Sequence, residues 1–311
     1  MAGNIIGTQN RNKVRTIILI ILLSSFFTSS NAQELFIYTE PASNMATGSI
    51  GLRLNNFIMP MTYNNRTTYR LDPELMWGVN KRLMLHANAY ASNMMQKQFR
   101  FEGGSIYAKY RFLSRDDIHK HFRMAAFGKV SLVDNPFTET NIQQHQLPDG
   151  NGGYIEHDLL VSHSSDEQNL DGNQSGWQAG FVATQLVNKL AVSGSVSSIS
   201  RWDNLGGNYY NGKANGALQT TVSAGYLLFP KSYEHYSQTN MNVYAELIAQ
   251  RLYNTPGYFV DAGPGVQFIF NSISRLDLGY RFQLAGNMNR FNTRQWLVRF
   301  EYNFLNAFSK K

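Results

Sequence analysis

From Ile50 to Phe304 apolar and polar residues alternate with a period of two, the mark of strands whose faces meet unlike surroundings. The pattern is clearest near the end. Leu276, Leu278, Tyr280, Phe282 and Leu284 share one face, with Asp277, Gly279, Arg281 and Gln283 on the other. Trp296, Val298, Phe300, Tyr302 and Phe304 then oppose Gln295, Leu297, Arg299, Glu301 and Asn303. The alternation predicts about twelve strands, at 50–58, 67–79, 83–92, 106–112, 122–132, 177–185, 190–199, 218–228, 241–250, 258–270, 275–284 and 293–304. Pro264 interrupts one of them and predicts a bulge there.

Many of these strands reach the roughly 9–11 residues a tilted membrane strand needs, against about 5–6 for soluble strands. Connections alternate between short turns, such as Val79-Asn80-Lys81 and Val187-Asn188-Lys189, and longer polar segments at 134–175 and 202–213. Outer-membrane barrels show that rhythm, with short periplasmic turns and long external loops. Trp77, Trp177, Trp202 and Trp296 fall near predicted strand ends, where an aromatic ring can meet both lipid and water. The expected fold is all-β, a transmembrane antiparallel up-and-down barrel.

The N-terminus adds an address. Arg11, Lys13 and Arg15 precede an apolar run from Thr16 to Phe27, and Ser30-Asn31-Ala32 supplies small residues for cleavage before Gln33. The run is about 12 residues, short of the roughly 20 a spanning helix needs. The expected organisation is a signal peptide at 1–32, a periplasmic segment at 33–48, and one barrel at 49–308 with a long external loop near 134–175. Loss of three basic residues takes the formal charge from +7 to +4, too little to suggest a nucleic-acid partner. Charged residues make up 16% of the chain, below the roughly 25% usual in soluble domains. There is no cysteine, which excludes disulfides, thiolate metal sites, cysteine nucleophiles and a lipoprotein anchor.

Trp296 to Phe304 resembles the closing strand that barrel-insertion machinery recognises, although the chain continues to Lys311. Phe36-Ile37-Tyr38-Thr39-Glu40-Pro41-Ala42-Ser43-Asn44-Met45 and Tyr107-Ala108-Lys109-Tyr110-Arg111-Phe112 extend the likeness. Over its mature length the chain resembles Bacteroidota-type outer-membrane β-barrel proteins, some of them transporter-like and likened to MetA-pathway barrels of phenol degradation. The resemblance implies an outer-membrane location, with membrane lipid and the insertion machinery as partners. It brings no catalytic motif.

Candidate chemistry lies on the polar faces. Lys109, Arg111, Arg123, Lys129, Glu246, Asp277, Arg281, Arg299 and Glu301 are the candidate lumen-lining residues. They would either line a charged pore or pair with one another to fill the barrel; twelve strands lie between filled and open barrels. His145, His157 and His163 share the long loop with several carboxylates, but their spacing fits no metal motif. Met59-Pro60-Met61 and Met94-Met95 suit adaptable packing better than soft-metal binding. His163-Ser164 and Ser193-Gly194-Ser195 lack the context of a lipid-rim hydrolase, and no glycine pair sits in a nucleotide-loop setting. No catalytic residue, metal ligand or cofactor is expected.

The expected function is a channel or transporter for a small solute, with the 134–175 loop as lid or constriction. One alternative is a non-conducting scaffold or accessory subunit of a cell-surface secretion system. Others are a barrel-based lipid-modifying hydrolase and a soluble secreted β-protein.

Overall fold

The computed structural model describes residues 36–64, 66–96, 98–117, 120–148, 154–210, 212, 214–230, 238–305 and 307–308, and, within them, not the side chains of 141–159. The expected signal peptide lies outside the described residues. Among the described residues fourteen strands form: β1 Ile50–Pro60, β2 Thr67–Gly78, β3 Leu83–Ser92, β4 Arg100–Asp116, β5 Lys120–Val133, β6 Thr138–Pro148, β7 Tyr154–Ser164, β8 Gly176–Val187, β9 Leu190–Arg201, β10 Gly216–Phe229, β11 Asn240–Leu252, β12 Tyr258–Phe270, β13 Ser274–Gly286 and β14 Arg294–Phe304. All but β6 and β7 pair with their neighbours as a closed antiparallel barrel of twelve strands, which β1 and β14 seal through pairs such as Leu52↔Tyr302 and Leu54↔Phe300. Among the described residues no helix is long and apolar enough to cross a membrane.

The period-two pattern explains the closure. Leu52, Leu54, Leu75, Ile106, Phe181, Val222, Leu247, Leu278, Val298 and Phe300 all point outward and are exposed around the ring. An apolar band on this scale is a surface for lipid, and a closed ladder leaves no backbone edge to satisfy there. Trp77, Trp177 and Trp296 stand outward at the ends of their strands, and Trp202 just beyond β9. The inward face carries the opposite chemistry: Arg53, Glu74, Lys109, Glu246, Asp277 and Glu301 are all buried inside the ring.

The start of β1, the end of β14 and the short turns lie at one rim. The loop at 134–175, expected to be irregular, holds a separate hairpin of β6 and β7 in which Thr138 faces Ser164. Pro264 does not produce a bulge at its own position. The ladder to β13 instead passes over Gly263 and Pro264, and the register shift falls earlier, at Val260/Asp261. Pro264 keeps its place opposite Ala245 of β11, so its missing N–H is absorbed on one side of the strand only. The β2–β3 ladder passes over Asp72 and Pro73 in the same way.

Candidate functional site

The lumen is crossed by two segments that belong to no barrel strand. The first begins at Phe36. Residues 33–48 were expected in the periplasm, but 36–45 lie inside the barrel, and the cause is local chemistry. Phe36 and Ile37 are apolar and buried against Tyr244 and Leu297. The backbone N–H groups of Ile37 and Tyr38 donate to Oε1 of Glu246 at 2.6 and 2.8 Å. The hydroxyls of Thr39 and Ser223 meet at 2.7 Å, and the N–H of Ala42 donates to Oγ1 of Thr184 at 2.9 Å. Lys109, 0% exposed, donates from Nζ to the carbonyl of Pro41 at 2.7 Å and lies 3.5 Å from the Glu40 carboxylate. Glu40 also pairs with Arg53 at 2.9 Å. We call residues 36–45 the inner strap.

The second segment, 165–175, turns inward from the end of the external hairpin. Gln168 and Gln250 exchange two hydrogen bonds, N–H to Oε1 at 2.8 Å and Nε2 to carbonyl at 2.9 Å, the way neighbouring strands pair. Glu167 is held by Arg290 at 2.9 Å and Asp171 by Lys129. Arg70 donates to the carbonyl of Asp171 at 2.6 Å and to Oδ1 of Asn173 at 2.5 Å. Gly172 has φ +83°, and a Cβ there would stand 3.0 Å from the Arg70 guanidinium. The anchors on β2 and β11 are nearly opposite in the ring, so this outer strap crosses the outward half of the lumen.

On the short-turn side of the Ile37 and Tyr38 contacts a charge network lines the wall. Arg53 meets Glu301 at 2.8 Å and Glu74 at 3.0 Å, and Glu74 also binds His86. Arg275 bridges Glu301 at 2.6 Å and Asp277 at 3.3 Å. Arg299 reaches Asp277 at 3.5 Å and donates to Oδ1 of Asn55 at 2.5 Å. Nearer the outer rim Asp261 accepts from Arg281 at 2.7 Å and Arg290 at 2.8 Å. Buried ions are tolerable only when partnered in this way, because each loses several kcal/mol of hydration.

The nine residues singled out from sequence thus fall into distinct settings. Glu246 and Lys109 hold the inner strap. Arg123 donates to Oγ of Ser43 at 2.8 Å and also pairs with Asp116 at 2.9 Å. Lys129 and Arg281 contact the outer strap, Arg281 lying 3.6 Å from Glu167. Asp277, Arg299 and Glu301 belong to the charge network on the short-turn side. Arg111 stands apart at the rim of the short turns and donates to the carbonyl of Lys81 at 2.6 Å.

Sequence reasoning missed Glu40, Arg53, Glu74, His86 and Arg290. Glu40 sits in a segment without alternation, and Arg53 meets a partner 248 residues away. The methionines Met59, Met61, Met94 and Met95 come together with Phe291 in a buried cluster at the outer end. The ring of His163 stacks on Tyr63 at 3.9 Å. Ser193 and Ser195 bond to the hydroxyls of Thr184 and Thr221, at 2.9 and 2.6 Å.

No protein-family model matches the chain, and no curated protein matches it. Solved structures do. An outer-membrane channel from Pseudomonas putida F1 aligns with TM-score 0.51 at 10% identity, covering 86% of this chain and all of that one. The KdgM porin aligns at 0.44 with 8% identity, covering 82% and 99%, and the CymD monoaromatic hydrocarbon channel at 0.43 with 11% identity, covering 83% and 88%. The likeness to the Pseudomonas channel, at 10% identity, shows a shared fold, the closed outer-membrane-type β-barrel.

Proposed function

We propose that the protein is an outer-membrane channel for a small solute, closed at rest by its two straps. One observation carries this reading. Among the described residues, the two segments that cross the lumen are held to the barrel strands by side-chain contacts, and neither contributes a pair to the barrel ladder. Either can leave while all twelve strands stay hydrogen-bonded. A barrel built only to be solid needs no such segments, since inward side chains fill it. With both straps withdrawn, twelve strands about 4.8 Å apart and tilted about 40° enclose a backbone radius of roughly 12 Å, or about 6 Å once side chains are allowed for. That width admits a solute of a few hundred daltons. The charged lumen residues named above would then line the path.

A second reading, a non-conducting scaffold for a cell-surface assembly, draws on the same closure, because both straps are in place at once. Swelling of proteoliposomes in small sugars and amino acids separates the two. A channel swells them once the straps are weakened at Glu246 and Arg290. No swelling with any solute, in protein shown to be folded by heat-modifiable gel mobility, favours the scaffold.

A further inference from the structure

The inner strap is recognised as a peptide. Seven consecutive residues, Ile37 to Ser43, each meet a polar wall side chain: Glu246 for Ile37 and Tyr38, Ser223 for Thr39, Arg53 and Lys109 for Glu40, Lys109 for Pro41, Thr184 for Ala42 and Arg123 for Ser43. Four of these contacts are to main-chain atoms. They are made by side chains from β4, β8 and β11, so they read the course of a backbone bent at 37–39 and 42 irrespective of its sequence. Selectivity comes from two further features. One is the cationic pair Arg53 and Lys109 on the carboxylate of Glu40. The other is a floor of glycines on β12 and β13. A Cβ would stand 2.7 Å from the Tyr38 ring at Gly263, 2.1 Å from Cδ1 of Ile37 at Gly265 and 2.7 Å from the Tyr38 hydroxyl at Gly279. None of the three has a positive φ, so no turn demands glycine there. Their missing side chains are the space that Ile37 and Tyr38 occupy.

We infer that this stretch of wall is a peptide-binding groove, filled in cis by the chain's own N-terminal segment and open in trans to a peptide of the same chemistry that takes the same bent course. That chemistry is an aliphatic–aromatic pair followed two positions later by a carboxylate. Two wall groups depend on such an occupant. Buried Lys109 has its hydrogen bond and its ion pair with strap atoms, and Glu246 accepts from two strap N–H groups as well as from Ser223. A peptide ligand restores both sets, whereas an uncharged sugar offers hydroxyls for hydrogen bonds but no carboxylate for the Lys109 ion pair. The inference deepens the closure proposed above and rests on the inner strap leaving a barrel that stays folded.

Tethering gives the resident segment an effective concentration of about millimolar, so a free peptide competes only after the tether is cut. Ala46 and Thr47 are exposed, between the strap and β1. A protease site inserted there allows the full chain to fold in detergent before it is cut. A fluorescent peptide of the sequence from Phe36 to Met45 is then added, with anisotropy as readout and mass spectrometry following release of the resident fragment. The expected result is exchange to one labelled peptide per barrel. Peptides carrying Ile37→Asp or Glu40→Gln should bind at least about tenfold more weakly, since each loses a buried apolar group or a charged hydrogen bond. In the wall, Gly279→Val should abolish exchange while heat-modifiable mobility persists. The inference is overturned if the cut, folded barrel releases its fragment and takes up no peptide, or if a scrambled peptide binds equally well. A cut barrel that conducts without binding peptide removes the groove and leaves the channel; one that binds without conducting does the reverse.

Discussion

Replacing Glu246 by alanine should free the start of the inner strap. The carboxylate is 1% exposed and its Oε1 accepts both the Ile37 and Tyr38 N–H groups. Alanine leaves those two donors without an acceptor inside the barrel. Each costs about 1–3 kcal/mol when left unsatisfied, and water entering the gap recovers part of that. A net loss near 3 kcal/mol multiplies the released population by roughly 150. The chain has no cysteine, so Thr39→Cys, close in size to threonine and facing Ser223, gives a single reporter thiol. A PEG-maleimide too bulky to enter the lumen reacts only when the strap comes out. Its labelling rate tracks the released fraction when release and return are fast. Glu246→Ala should raise that rate on the order of 100-fold, whereas Glu246→Gln keeps an Oε1 acceptor in place and should raise it by less than about tenfold. Equal effects from the two substitutions, or no effect from either, would refute the assignment of Glu246 as the strap's acceptor.

Other perturbations test other parts of the barrel. Arg290→Ala strips a buried cation from both Glu167 and Asp261 and should cost about 3–5 kcal/mol, read as a lower midpoint of heat-modifiable mobility. Gly172→Ala forces a methyl into a left-handed turn against Arg70 and should loosen the outer strap by about 1–2 kcal/mol, read as faster proteolysis of the 165–175 segment with the barrel intact. Leu54→Arg, on the outward face midway along β1, should cost about 2–4 kcal/mol in lipid vesicles, measured by urea-driven unfolding. An unchanged midpoint for that variant would mean that the outward face does not meet hydrocarbon.

The barrel was legible because each strand separates two solvents, and a period of two records that separation residue by residue. Every one of the expected strands lies within or closely overlaps a strand of the ring. The misses follow from chemistry that periodicity does not carry. β4 runs from Arg100 to Asp116, well beyond the predicted 106–112, because Gly103 and Gly104 break the alternation while a register shift at Arg111/Leu113 keeps the ladder going. The hairpin of β6 and β7 has polar residues on both faces, so it reads as loop. The inner strap has no period at all, since its conformation comes from the wall it lies on. One signal did point to it: Gly263, Gly265 and Gly279 on inward faces, where interior glycines mark the close approach of another chain segment. The candidate lumen charges could be listed from the sequence, but not their partners, because Arg53 and Glu301, or Arg290 and Glu167, are brought together only by closure of the ring.

The central claim is a channel held shut by two straps in series, and single-channel recording in a planar bilayer tests it most directly. The wild-type barrel should be almost silent, and Glu246→Ala or Arg290→Ala alone should add brief openings. The double variant should show sustained steps on the order of 3 nS in about 1 M potassium chloride, as expected for a pore of roughly 6 Å radius across a membrane about 35 Å thick. Silence in the folded double variant, or full steps in the wild type, would contradict the account.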